Sequence, residues 1–313
     1  MNKKLISVVI PAYNEQDNVD ELAKQLTAVF AENSAYEFEA IIVENGSQDN
    51  TYDKLCAVHQ KDPRFKIVQL ARNFRMDGGI TAGLNYASGD AAVIMTADLQ
   101  DPPHLITQFI KKWEEGYENV YGIVTKRNGT GLIRRFNSQL FYWVANGLTN
   151  GMVPRNVSDF RLIDRKVYET INSIHERNRF IRGLFAWVGY KSIGVEHERA
   201  ERFAGVSGAH TFKVIELALK GILAHSYLPL KLITILGITI SAFSFALLVW
   251  TIVKAVLWGV PFAGYGTIMT VMFLMFGILF TMLGIVAEYI GLIYEEVKNR
   301  PNFIVSKEVG FNN

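Results

Sequence analysis

Cysteine is almost absent from this chain: Cys56 is the only one. That excludes an intrachain disulfide and any zinc site built on several cysteines, and it fits a reducing compartment. The six histidines are scattered, and no H-E-x-x-H or Cys/His cluster points to zinc. The common phosphate cradles are missing too. No G-x-G-x-x-G follows the first apolar run, and no G-x-x-x-x-G-K-[ST] occurs, so dinucleotide redox and P-loop hydrolysis lack their usual loops. Nor is one sign of charge in excess. A formal net charge of +2 gives no argument for a nucleic-acid partner.

Two stretches lack charge altogether. Residues 232–253 carry no charged side chain and are bracketed by Lys231 and Lys254; residues 255–287 carry none either. At ~1.5 Å per helical residue, about 20 apolar residues cross a hydrocarbon core of roughly 30 Å, so two transmembrane helices are predicted. Half of the chain is apolar and its mean hydropathy is +0.14, high for a soluble protein. Basic residues flank the pair: Lys213, Lys220 and Lys231 before it, Lys298, Arg300 and Lys307 after it. The positive-inside rule then sets the head and both termini on the cytoplasmic side of the inner (plasma) membrane. The start, "MNKKLISVVIPAYNE", has an apolar run too short for a signal-peptide core and reads as a buried first strand.

What is present ahead of these runs is a β-α alternation. The segments "ISVVIPA", "FEAIIVENG", "FKIVQLARN" and "AAVIMTADL" are strand-like, and helical stretches lie near residues 17–32, 50–61 and 77–88. Such alternation predicts an α/β fold with a mostly parallel sheet and helices on both faces. Ligands of these sheets bind at the carboxyl ends of the strands. Polar clusters fall there: Tyr13-Asn14-Glu15, Glu44-Asn45-Gly46-Ser47, Arg72-Asn73 and Asp98-Leu99-Gln100. Further on, Arg179 and Arg182 are three apart, as are Arg199 and Arg202, so each pair shares a face if helical. Arginine forks suit phosphate oxygens, although most arginines are solvated surface charge. Two stripes are amphipathic, one through Ile133, Phe136 and Leu140 with Arg134 and Arg135 beside it, one through Phe212, Ile215 and Leu219 next to the first apolar run. The expected organisation is a head at 1–210, a juxtamembrane amphipathic helix at 211–228, a two-helix membrane part at 229–290 and a cytoplasmic tail at 291–313.

The motifs "VVIPAYNE", "VENGSQDNT", "LARNF…AGLNYASGD", "TADLQDPP", "SDFRLIDR" and "ERNRFIRGLFAWVGY" occur in this order. In this the chain resembles the membrane-anchored family-2 glycosyltransferases that make polyprenyl-phosphate sugars, bactoprenol glucosyltransferases among them and dolichyl-phosphate mannose synthase more distantly. The likeness covers the whole chain. It implies a GT-A, Rossmann-like catalytic domain, a nucleotide-sugar donor, a polyprenyl phosphate acceptor, Mg²⁺ or Mn²⁺, inversion at the anomeric carbon and a homotetramer.

Carried over by position, Pro11, Tyr13, Glu15, Glu44, Asn45, Asp77, Gly78, Ala97 and Asp98 fall to the nucleotide, with Asn45 set for the pyrimidine ring. Asp98 and Gln100 fall to the metal and diphosphate, while Arg134, Arg179, Arg182, Arg199 and Arg202 fall to donor or lipid phosphates. Asp159 and Arg161 take the catalytic places. A lipid phosphate with a second pKa of about 6 is already largely ionised, so Asp159 is free to orient the acceptor, position Arg161 or stabilise positive charge on the sugar.

Thr96 stands where relatives carry an acid, which leaves Asp98 as the main charged ligand, with Asp101 close enough to help through water. Asn45 likewise departs from the commoner acid and can serve uracil or cytosine. These departures motivate an alternative reading, a membrane-anchored partner that binds nucleotide sugars without turning them over. The retention of Asp98, Gln100, Asp159 and the arginine pairs weighs against it. A processive synthase predicts more spans and a Q-x-x-R-W sequence, and a transporter predicts charged groups within the spans; the chain has none of these.

Overall fold

The computed structural model describes residues 3–126, 157–177, 179–198, 228–258 and 264–311. Arg134, Arg199, Arg202 and the two amphipathic stripes lie outside the described residues, as does nearly all of the expected juxtamembrane helix.

The strands are β1 (Leu5–Ala12), β2 (Glu37–Glu44), β3 (Phe65–Leu70), β4 (Ala91–Ile94), β5 (Asn119–Lys126), β6 (Val157–Asp164), β7 (Ser192–Glu198) and β8 (Val305–Val309). They form one sheet in the order β7-β5-β6-β4-β1-β2-β3-β8. Its centre is parallel, β4-β1-β2-β3, with β6 antiparallel to β4 and β8 antiparallel to β3. The helices α1 (Val19–Glu32), α2 (Thr51–Lys61), α3 (Arg75–Tyr86), α4 (Ile106–Glu114), α5 (Arg165–Ser173) and α6 (Ile181–Trp187) belong to the same unit.

Alternation along β1 explains how helices cover both faces. Ile6, Val8 and Ile10 join Leu22 and Leu26 of α1, Leu55 of α2 and Phe109 of α4 in one core. Val9, on the opposite face, joins Ile80 and Leu84 of α3, Ile171 of α5 and Leu184 of α6. With both faces covered, the strand reads as a continuous apolar run. Each such side chain contributes about 1.5–3 kcal/mol by leaving water.

A second unit, Ile215–Asn299, contains two long helices, α7 (Leu228–Trp258) and α8 (Tyr265–Lys298). Large apolar side chains point outward on both: Phe243, Trp250 and Phe280 are 64 %, 61 % and 67 % exposed. Among the described residues one stretch, Met275–Lys298, has the length and mean hydropathy (2.0) of a membrane span. The expectation of two spans thus reduces to one candidate helix at this level. The helix stops at Asn299, in the left-handed region at φ 49°, and the chain after Arg300 returns to the sheet as β8.

Candidate active site

The loops leaving β1 and β2 are braced against each other. Asn14 (φ 55°) donates its N–H to Ser47 Oγ at 3.0 Å, and its Oδ1 accepts the Gln48 N–H at 2.8 Å. The Glu15 N–H reaches Thr51 Oγ1 at 2.9 Å. The carbonyl of Glu15 starts α1 by accepting the Asn18 N–H at 2.9 Å, and its carboxylate accepts the Asn18 side-chain amide. The β2 loop also approaches the β3 loop closely. Gly46 has φ 72°, and a Cβ there would lie 2.6 Å from the carbonyl carbon of Arg72.

These loops and β8 frame a cavity of about 540 Å³, lined by Tyr13, Gln48, Arg72, Asn73, Ser306 and Lys307 among others. Beneath the β2 loop Glu44 is 1 % exposed. One of its oxygens accepts the Ser47 N–H, and the other, Oε2, has no hydrogen-bond partner among the described residues. Pro11 and Ala97 are buried at the ends of β1 and β4.

Asn45 serves the next loop. Its Oδ1 accepts the Phe74 N–H and its Nδ2 donates to the Arg75 carbonyl, both at 2.8 Å. The amide assigned to a pyrimidine from sequence is therefore engaged in clamping a turn whose Arg75 has φ 64°. Asp77 and Gly78 are outside the residues that line the cavity. Asp77 turns to α6 instead and accepts the Ile181 N–H at 3.2 Å. Burial raises its pKa to about 6; the Ile181 hydrogen bond opposes the rise, and the negative charge of Asp159 adds to it.

On the other side of β1, the β4 end carries the acidic turn. Thr96 Oγ1 donates to Asp98 Oδ1 at 2.7 Å, and the Gln100 N–H reaches the same oxygen at 3.3 Å. Leu99 between them has φ 56° and is 6 % exposed, held in the core. Asp101 is 1 % exposed and belongs to a buried knot: Ser158 Oγ donates to its Oδ2 at 2.9 Å, and His197 Nε2 lies 3.1 Å from its Oδ1. Gly122 leaves room for that imidazole, since a Cβ there would meet His197 Cε1 at 2.6 Å. Asp101 thus ties the turn to β6 and β7. Neither Ser158 nor His197 was legible as a site residue, because their pairing with Asp101 is long-range.

No group of three His, Cys, Asp or Glu side chains suited to a metal occurs among the described residues. The oxygen donors at hand are the Asp98 carboxylate and the Gln100 amide. A hard divalent cation accepts such a set when substrate phosphates and water complete its shell.

Asp159 lies on β6. That strand pairs Arg161 with Ile94, so two residues further on Asp159 is level with Thr96. Its oxygens receive Arg182 Nε at 2.9 Å and Nη2 at 2.6 Å, a two-point ion pair with both side chains partly exposed. Arg161 is 2 % exposed, with its guanidinium 4.1 Å from the centre of the Phe185 ring and its Nη2 3.2 Å from the Ser158 carbonyl. Burial lowers its pKa to about 10, against the pull of Asp159, so it stays charged at neutral pH. It braces the β6 end from within. Arg179 and Arg182 do not share a helix face, because α6 begins at Ile181. The Arg179 guanidinium donates to the Ile171 carbonyl at 3.0 Å and to the Ile174 carbonyl, closing the end of α5.

A strand-end cavity, an acidic turn and an arginine–carboxylate pair thus lie in a row along one edge of an α/β sheet. The family model for glycosyl transferase family 2 matches residues 7–172, the stretch that builds most of this row. The chain belongs to glycosyl transferase family 2. It is 41% identical to an uncharacterized glycosyltransferase of Synechocystis sp. over 96% of this chain and 94% of the other. It is 36% identical to the SfII prophage-derived bactoprenol glucosyl transferase of Shigella flexneri over 96% of this chain and 97% of that one. A glucosyl-3-phosphoglycerate synthase from Mycobacterium tuberculosis, solved with Mn²⁺ and UDP-glucose, covers 70% of this chain and 78% of its own at 19% identity and a TM-score of 0.48. That overlap is too loose to carry residue roles. As a family-2 member this glycosyltransferase has the GT-A, Rossmann-like fold.

Proposed function

We propose that this glycosyltransferase moves a hexose, with inversion, from a nucleotide sugar of the UDP-hexose type to a polyprenyl phosphate such as undecaprenyl phosphate on the cytoplasmic leaflet. The product is a polyprenyl-phosphate sugar for envelope glycosylation. The observation that carries the reading is the order of groups along the strand ends. The cavity lies at β1–β3, Asp98 and Gln100 follow at β4, and Asp159 with Arg182 lies at β6. That is the order of a nucleoside, its diphosphate and an incoming phosphate.

Glu44, 1 % exposed beneath the β2 loop and outside the residues that line the cavity, keeps one oxygen unpartnered among the described residues. Asp98 and Gln100 would hold Mg²⁺ or Mn²⁺, which when bound supplies charge neutralisation for the departing nucleoside diphosphate. In the transfer an acceptor phosphate oxygen forms the new bond to the anomeric carbon as the bond to the diphosphate breaks. Asp159 holds Arg182 in place for the acceptor phosphate; paired as it is, it has no need to take a proton. Near-full-length likeness to a bactoprenol glucosyl transferase supports the lipid acceptor. The outward apolar surfaces of α7 and α8 support two membrane spans with the head on the basic, cytoplasmic side.

Purified enzyme with Mg²⁺ or Mn²⁺, a polyprenyl phosphate and a panel of labelled UDP-, GDP- and CDP-sugars tests the reading. Labelled lipid is expected with one donor and is expected to vanish in Asp98→Ala. No labelled lipid with any donor would refute it.

A further inference from the structure

We propose that Lys307, on the returning strand β8, is a donor-binding residue whose ammonium hydrogen-bonds carbonyl or hydroxyl oxygens of the nucleoside part of the bound donor. The inference rests on the nucleotide-sugar reading above and extends the donor site to the C-terminal segment.

Placement comes first. β8 runs antiparallel beside β3 with Lys307 opposite Gln69, and the register shifts between Gln69 and Leu70. Ser306 and Lys307 thereby line the far wall of the cavity whose near wall carries Tyr13 and Gln48. Without β8 that cavity would open at the β3 edge.

Charge is the second observation. The residues lining the cavity include two cations, Arg72 and Lys307, and no carboxylate. Arg72 is held over the Phe74 ring at 4.1 Å, and the Lys307 ammonium lies 5.3 Å from the centre of the Tyr52 ring. Lys307 is exposed and makes no ion pair among the described residues. With no carboxylate lining the cavity to take its protons, the Lys307 ammonium is left to donate to ligand oxygens.

The segment is also pinned in place. Asn302 Nδ2 donates to the Glu176 carbonyl at 3.0 Å, and the Ala71 N–H donates to the Ile304 carbonyl at 2.9 Å. Tyr86 bonds Glu308, and its ring meets Phe311 edge-on at 4.9 Å. The wall is therefore fixed before any ligand arrives, which lowers the ordering cost of binding. It also begins directly after the apolar helix α8, so the donor site includes the first segment to leave that helix.

UDP binding to the full-length enzyme in detergent, measured by calorimetry with Mg²⁺ and no acceptor, tests this. Lys307→Met is expected to weaken UDP about tenfold, the size of one lost charge-assisted hydrogen bond. Lys307→Arg is expected to restore most of the affinity, and thermal unfolding is expected to be the same in both. In turnover the Met variant is expected to raise the donor KM and leave kcat within about twofold. A Met variant that binds UDP as tightly as the wild type overturns the assignment of Lys307 and leaves the nucleotide-sugar reading standing. A wild-type enzyme that binds none of UDP, GDP or CDP overturns both.

Discussion

Arg182 lays its fork on the carboxylate of Asp159, with Nε 2.9 Å from Oδ1 and Nη2 2.6 Å from Oδ2. Two groups locked this way act as one. Asp159→Asn and Arg182→Lys are each expected to lower kcat by roughly 100-fold or more, with UDP affinity little changed, because both spoil the placement of one guanidinium. The double variant is expected to be no worse than the poorer single one. Losses that multiply in a double-mutant cycle would show that the pair does not work as a unit.

Asp77 makes the head sensitive to pH because burial disfavours its charged form. Its folded-state pKa, about 6, lies above the ordinary value of 3.8, so folding favours its protonated form. The stability this confers is fully present below about pH 4 and is lost as the pH rises to about 6. Asp77→Asn keeps an acceptor for the Ile181 N–H and removes the charge. It is expected to be more stable than the wild type above pH 6, by about 1–2 kcal/mol after allowing for partial exposure, and equal to it near pH 4. Unfolding midpoints of the two proteins across that range measure the difference, and a constant gap would contradict the assignment.

Asp101 is the buried knot of the acidic turn. Asp101→Ala strands the Ser158 hydroxyl and the His197 ring without their partner, at a cost of about 2–4 kcal/mol. Because the turn also carries Asp98, kcat is expected to fall alongside stability. Asp101→Asn keeps the size and one acceptor, so it is expected to lose less of both in paired unfolding and turnover assays.

Thr96 spends its hydroxyl on Asp98 Oδ1. A second carboxylate there adds a charged oxygen ligand, and affinity for a divalent cation grows with ligand charge. Thr96→Asp is therefore expected to lower the half-saturating Mn²⁺ concentration by about 3- to 10-fold in activity titrations. An unchanged or higher requirement would place the cation elsewhere.

The central sheet was legible because its strands are buried on both faces and read as apolar runs. "ISVVIPA" and "FEAIIVENG" lie almost entirely within β1 and β2, and the predicted helices at 50–61 and 77–88 match α2 and α3 within two residues. The edges were not legible. "VSKEV" alternates and carries charge as a half-exposed strand does, and only pairing with β3, far back in the chain, makes it part of the sheet. That Glu44 and Asp98 fall at strand ends could be read from the sequence. What each amide or arginine grips could not: Asn45 turned to a backbone loop, and Arg179 to the carbonyls that end α5. Those choices depend on where distant backbone groups lie, and no local spacing records them.

Leu99 gives the acidic turn a mechanical character. A leucine at φ 56° occupies a backbone region that costs about 1–2 kcal/mol outside glycine, while its side chain is embedded in the main core. The turn is thus sprung: hydrophobic anchorage holds a conformation that the backbone would by itself relax. Such preloading keeps Asp98 and Gln100 at a set angle in the absence of ligand. Relaxing it with Leu99→Gly would trade that rigidity for ease, so the leucine acts as a tensioned hinge-pin and not as mere filler.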